Sequence, residues 1–227
     1  MVGSAWWARV EDVVERLSLL KHPFYRAWQE GRLVQEDLRE YARRYYPHVA
    51  AFPRYVSATH SLCGDLKVRQ MLLENLVEEE RGPENHPELW LRFAEGLGMT
   101  REQVEGGPSA PETQACVGIF ERLSREDALS GLSALYAYES QIPAVSVTKV
   151  EGLRRFYGIS SPEATRFFDV HREADVWHSA QEREAIESMA VDGTSRGRVV
   201  KAAEESCRAV WGLLDGVCRS RGIACAN

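Results

Sequence analysis

A chain of 227 residues, 44% hydrophobic and 27% charged, is long enough to bury one sizeable core and has the balance of an ordinary globular protein. Its net charge of −6, with no basic stripe on any segment, argues against a nucleic-acid partner. No apolar run reaches the length of a bilayer, so no membrane partner is expected.

The first residues, Met1 to Arg9, lack a charged segment followed by an apolar one; no secretory signal is expected, and the cytoplasm is the predicted location. Cys63, Cys116, Cys207, Cys218 and Cys225 are scattered and form no CxxC pair, which suits buried or incidental thiols in a reducing compartment.

Almost every segment carries helical periodicity, and no alternating β-branched run suggests a strand. Residues 5–20 place Trp6, Val10, Val13, Val14, Leu17 and Leu20 on one face. A short helix follows at His22–Trp28, with Pro23 at a tolerated early position and Gly31 closing it. From Gln35 to Leu66 runs a long pattern containing Tyr41, Tyr45, Tyr46, Phe52 and Tyr55. Pro47 and Pro53 sit inside it, so kinks beside a tyrosine-rich face are expected there.

The helix predicted over 66–81 stops at Gly82-Pro83. Asn85 then caps a helix opened by Pro87, and Thr100 to Gln103 reads as a small capping box. Two apolar helices follow, Pro111–Leu123 and Asp127–Glu139; the ring of Pro143 opposes the Glu139 carbonyl and breaks the second. Lys149 lies in the helical segment after it. The next helix starts at Ser161-Pro162 and covers about 162–182, and a last one spans about 195–220. The expectation is an all-α bundle forming a single domain over 1–227, with about 218–227 a fraying tail.

The chemistry concentrates on the 162–182 helix. His171, Asp175 and His178 stand at i, i+4 and i+7, so two imidazoles and a carboxylate project from one stripe as metal-competent ligands. The plain alternative is a polar face with two surface histidines. Glu139 is the best fourth ligand, because it follows the apolar Ala134–Tyr138 and a lone carboxylate there is costly unless paired or metal-bound. Glu79 and His86 flank the Gly82-Pro83 break and can supply two more, although the Glu78–Glu80 run also suits a solvated face. The ExxH spacing of ferritin-like di-iron bundles is absent. His22, His48 and His60 read as structural.

Taken together, Glu79, His86, Glu139 and His171-x₃-Asp175-x₂-His178 resemble the ligand set of the haem-oxygenase-like dimetal oxidases. Within that family the chain is most similar to the group holding the chlamydial protein associating with death domains and its bacterial relatives. The likeness extends through His22–Tyr25, Tyr41-Ala42, Tyr45-Tyr46, Ala51–Pro53, Asn85-His86, Tyr138–Pro143 and Glu173–Val176.

The resemblance implies a haem-oxygenase-like bundle of seven to eight helices, shared with the pyrroloquinoline-quinone-forming oxidase and thiaminase-type proteins. It also implies two metal ions, Fe/Fe or Fe/Mn, with dioxygen as co-substrate and an external reductant from an unidentified electron donor. The implied product is 4-aminobenzoate, a folate precursor, formed by excising the protein's own Tyr25, with Tyr41 as its neighbour and Lys149 as amino donor. One departure is Phe167, which stands where the chlamydial relative has a participating tyrosine. A catalytic dimetal oxidase acting on an external amino acid or fatty acid is the first alternative. An oxidase of the pyrroloquinoline-quinone-forming type and a protein-interaction module are weaker ones. A homodimer is expected, since bundles of this kind often pair through apolar helix faces.

Overall fold

Polar caps punctuate the chain. In the computed structural model, which describes residues 5–224, Asp65, Asn85, Thr100, Asp127, Ser161 and Asp192 each accept a backbone N–H from the first turn of the following helix. The helices are α1 (Trp7–Arg16), α2 (Pro23–Gln29), α3 (Gln35–Leu62), α4 (Leu66–Glu80), α5 (His86–Gly96) and α6 (Arg101–Glu105). They continue with α7 (Pro111–Glu126), α8 (Ala128–Glu139), α9 (Ile142–Phe156), α10 (Pro162–Met189) and α11 (Gly193–Arg221). A 3₁₀ turn at Leu19–Lys21 joins α1 to α2, and no strand occurs among the described residues.

The count exceeds the expected seven or eight for local reasons. α2 and α6 are single short helices of 7 and 5 residues, and the Pro143 break separates α8 from α9. The pattern expected to run from Gln35 to Leu66 ends at Leu62, where Cys63 turns extended and Asp65 caps α4. Pro47 and Pro53 lie inside α3 without ending it. At the other end, α11 runs to Arg221 and buries Cys218, so order extends past the start of the expected tail; Gly222, at φ 63°, closes it. Cys225 lies outside the described residues. No described helix is long and apolar enough to cross a membrane.

α8 is the hub. It is buried on every side from Ala128 to Ala137 and packs against α3, α7, α10 and α11. Such a helix brings whatever polar group ends it into the core, and Glu139 ends it. Against α9, Trp28 donates its indole N–H to the Lys149 carbonyl at 3.3 Å and lies over Gly152, where a Cβ would stand 2.5 Å from Trp28 Nε1. Gly152→Ala is therefore expected to destabilise the protein, with about 1–3 kcal/mol of overpacking set against the ~1 kcal/mol that alanine gains in a helix. Urea denaturation reads it; a variant as stable as the parent would refute this close contact.

Candidate metal centre

α4, α5, α8 and α10 converge on one buried region because each carries a polar residue on its inward stripe. α4 ends with Glu79 turned inward, and α5 begins with His86, held at the first position by the Asn85 cap. α10 contributes His171, Asp175 and His178 from a single face, all buried. The six residues form two groups, Glu79–His86–His171 and Glu139–Asp175–His178. Within each, three donor atoms lie within 4.8 Å of one another, the scale on which ligands ~2.1 Å from a common ion are found. The division was not visible in the spacing: α10 gives one ligand to the first group and two to the second.

The donor set fits metal ions. His86 Nδ1 is 2.8 Å from Glu79 Oε1 but lacks the alignment of a hydrogen bond. Neither nitrogen of His178 makes an aligned hydrogen bond: Nδ1 stands 3.6 Å from Asp175 and 3.8 Å from Glu139, and Nε2 3.4 Å from Glu78. One oxygen each of Glu139 and Asp175 is likewise unpartnered. Buried polar atoms are ordinarily satisfied, so this concentration of donors aimed at one another marks a site built for a cation. His171 is oriented differently: its Nδ1 donates to the Phe167 carbonyl at 2.6 Å, which leaves Nε2 as the ligating nitrogen.

Electrostatics points the same way. Burial pushes the Asp175 carboxyl up to about 7 and also raises that of Glu139. Burial opposes a charge on His178, yet the neighbouring Asp175 and Glu139 carboxylates carry it up to about 9. For His86, too, the Glu79 carboxylate outweighs burial and raises the imidazole. Burial and the neighbouring His86 instead lower His171 well below the usual range.

A second cluster adjoins the first. Tyr25, Tyr41 and Lys149 are all buried. Lys149 Nζ donates to Tyr41 Oη at 2.5 Å, and the Tyr41 and Tyr25 hydroxyls are 3.2 Å apart. The amine also lies 5.4 Å from the Tyr25 ring centre and 4.9 Å from that of Phe168. Burial lowers the Lys149 amine well below the ordinary lysine range and raises the Tyr25 and Tyr41 phenols. Two bridges link this cage to the metal ligands. Phe167 lies 4.1 Å from the His171 ring and 4.8 Å from the Trp90 ring, which borders Tyr41. Tyr45 donates to Tyr138 at 3.1 Å, and Tyr138 lines the cavity between the two ligand groups.

That cavity has a volume of about 10 Å³, room for a water-sized molecule. The roomier clefts, such as the one of about 420 Å³ beside Glu36, Arg43 and Gln103, touch none of the six ligands. Of the spare histidines, His22 caps α2 through Nδ1 and contacts Asp215 at 3.2 Å. His48 is buried among Phe52, Tyr55 and Phe120, where burial lowers it to about 3.

Sequence reasoning missed Asn75 and Glu182. Asn75 donates to Glu139 Oε1 at 2.9 Å, and Glu182 is fully buried against Glu139. Both were within reach of the helical period. Asn75 stands four residues before Glu79, and Glu182 stands four after His178.

A family model described as iron-containing redox enzyme matches residues 39–211. Among relatives, a 4-aminobenzoate synthase of Nitrosomonas europaea is 38% identical, with 96% of this chain and 92% of the relative covered. A protein of the same name from Chlamydia trachomatis is 41% identical, with 91% and 89% covered. Among solved structures, a domain of unknown function with a haem-oxygenase-like fold from Shewanella denitrificans superposes with a TM-score of 0.80 at 17% identity. That superposition covers 95% of this chain and 91% of the other.

Proposed function

From the premise that the chain belongs to the family of iron-containing redox enzymes, we propose that it is a 4-aminobenzoate synthase that consumes its own tyrosine. Glu79, His86 and His171 would hold one ion, and Glu139, Asp175 and His178 a second, as Fe/Fe or Fe/Mn. When bound, these ions supply dioxygen activation, with electrons from an external reductant. The residues of the chain supply the rest.

Tyr25 provides the ring. Its hydroxyl is para to Cβ, so 4-aminobenzoate would follow if Cα–Cβ is cut, Cβ is oxidised to the carboxylate with oxygen from dioxygen, the Lys149 Nζ–Cε bond is broken to give up the nitrogen, and the phenol oxygen leaves as water. Lys149, kept neutral by burial, presents a free lone pair beside that ring. Tyr41 bridges the two through its hydroxyl. Because the ring belongs to the chain, no binding step is needed, and each chain would react once.

The observation that carries this reading is a buried amine held against buried tyrosines next to a cavity of only about 10 Å³. The closeness of the amine to the chain's own tyrosines favours Tyr25 over an external amino acid or fatty acid as the substrate. The test is anaerobic iron loading, then oxygen with reductant, followed by peptide mass spectrometry and product analysis. A mass loss confined to the Tyr25 peptide, with 4-aminobenzoate released, is the expected result. Since the amine is 2.5 Å from the Tyr41 hydroxyl, the Tyr41 peptide is read in the same run. An intact chain that consumes oxygen would sink the sacrificial reading.

A further inference from the structure

Glu182 lies one turn beyond His178 on α10 and is 0% exposed. Neither of its carboxylate oxygens has a hydrogen-bond donor, and no ion pair among the described residues includes it. A carboxylate buried in this way is costly unless a cation or donor meets it. What it does meet is acidic: it faces the Glu139 carboxylate at hydrogen-bonding range and feels the charge of Asp175. Asn75 already supplies the donor to Glu139 Oε1, and Glu139 Oε2 remains unpartnered.

A charge count gives this arrangement a purpose. Glu79, Glu139 and Asp175 bring three negative charges to the two ligand groups, and the histidines ligate as neutral imidazoles. Two divalent ions bring four positive charges, which leaves one unbalanced among buried side chains, where net charge is expensive; Glu78, 3.4 Å from His178 Nε2, is half exposed and belongs to neither group. Glu182 is the carboxylate that cancels it.

We propose that Glu182 is a fourth metal-site carboxylate, which binds the ion held by Glu139, Asp175 and His178 and balances the charge of the two-ion centre. The assignment rests on the dimetal reading above. It differs from a purely structural role, in which a protonated Glu182 would merely hydrogen-bond to Glu139.

Glu182→Gln separates the two, since the amide keeps the size and a donor for Glu139 but carries no negative charge. Full-length metal-free protein is titrated anaerobically with Fe²⁺, desalted and analysed for bound metal. The parent is expected to take two ions per chain. Glu182→Gln is expected to keep the first unchanged and to bind the second about 10- to 100-fold more weakly. Glu182→Leu, an apolar replacement of similar length, should show the same loss and serves if the amide variant does not fold. A second ion bound by Glu182→Gln with parental affinity overturns the assignment of Glu182 alone. A parent that takes only one ion overturns the dimetal reading, and this proposal with it.

Discussion

Lys149→Met is expected to bind metal as the parent does and to form no 4-aminobenzoate, a loss of about a thousandfold or more. The side chain is buried, and its amine contacts Tyr41 Oη while lying within 5.5 Å of the ring centres of Tyr25, Tyr45 and Trp90. Methionine fills nearly the same volume without the amine, so the cage keeps its shape and loses the proposed nitrogen source. Lys149→Arg should be equally inactive, because a guanidinium stays charged and offers no lone pair.

The same variant predicts a direction in stability. The Lys149 amine is lowered well below its ordinary value of about 10.4 by burial, so the unfolded chain binds a proton that the folded chain does not. This group's stability is fully present only above the unfolded value and declines as pH falls toward the folded one. Lys149→Met removes that penalty. Its thermal midpoint relative to the parent should therefore be higher at pH 7 than at pH 10. Product formation at the parental level, or a stability difference that does not change with pH, would remove Lys149 from the role assigned to it.

Much of the site could be read from periodicity because α10 carries it on one stripe. His171, Asp175 and His178 follow from helical spacing, and Glu182 continues that spacing by one more turn. The helix expected over about 162–182 stops at this residue, whereas α10 runs to Met189 and buries Glu182, Ala185 and Ile186. Glu79 and His86 sit on different helices either side of Gly82-Pro83, so no single-helix pattern joins them to His171; the family resemblance supplied that link. The sorting into two groups is a tertiary fact, set by where α4 and α8 meet α10. Lys149 was ambiguous for a similar reason. Its neighbours Val147 and Val150 are exposed and buried respectively, and only the packing of α9 on α2 and α10 decides which way the amine turns.

Asp175→Ala is expected to halve the metal content from two ions to one and to lower product formation by about a thousandfold or more. Asp175 belongs to the second group only, and the first group, with Glu79 and His86 from α4 and α5, keeps all three of its ligands. Metal loading of the parent should raise its stability by about 4 kcal/mol per site at free metal a thousand times the dissociation constant, so the variant should show about half the gain. Without metal, the contrast reverses with pH. Burial raises the Asp175 carboxyl from roughly 3.9 in the unfolded chain to about 7 when folded. The folded state then binds more protons between these values, so this residue's contribution is present at low pH and lost as pH rises through about 7. The metal-free variant should accordingly gain on the metal-free parent between pH 4 and pH 8 (roughly the titration window of this one carboxyl), whatever constant cost the truncation adds. Parallel stability curves for the two chains would show that Asp175 is not the strained, metal-ready carboxylate described here. Two ions retained in the variant would show that the second site does not depend on it.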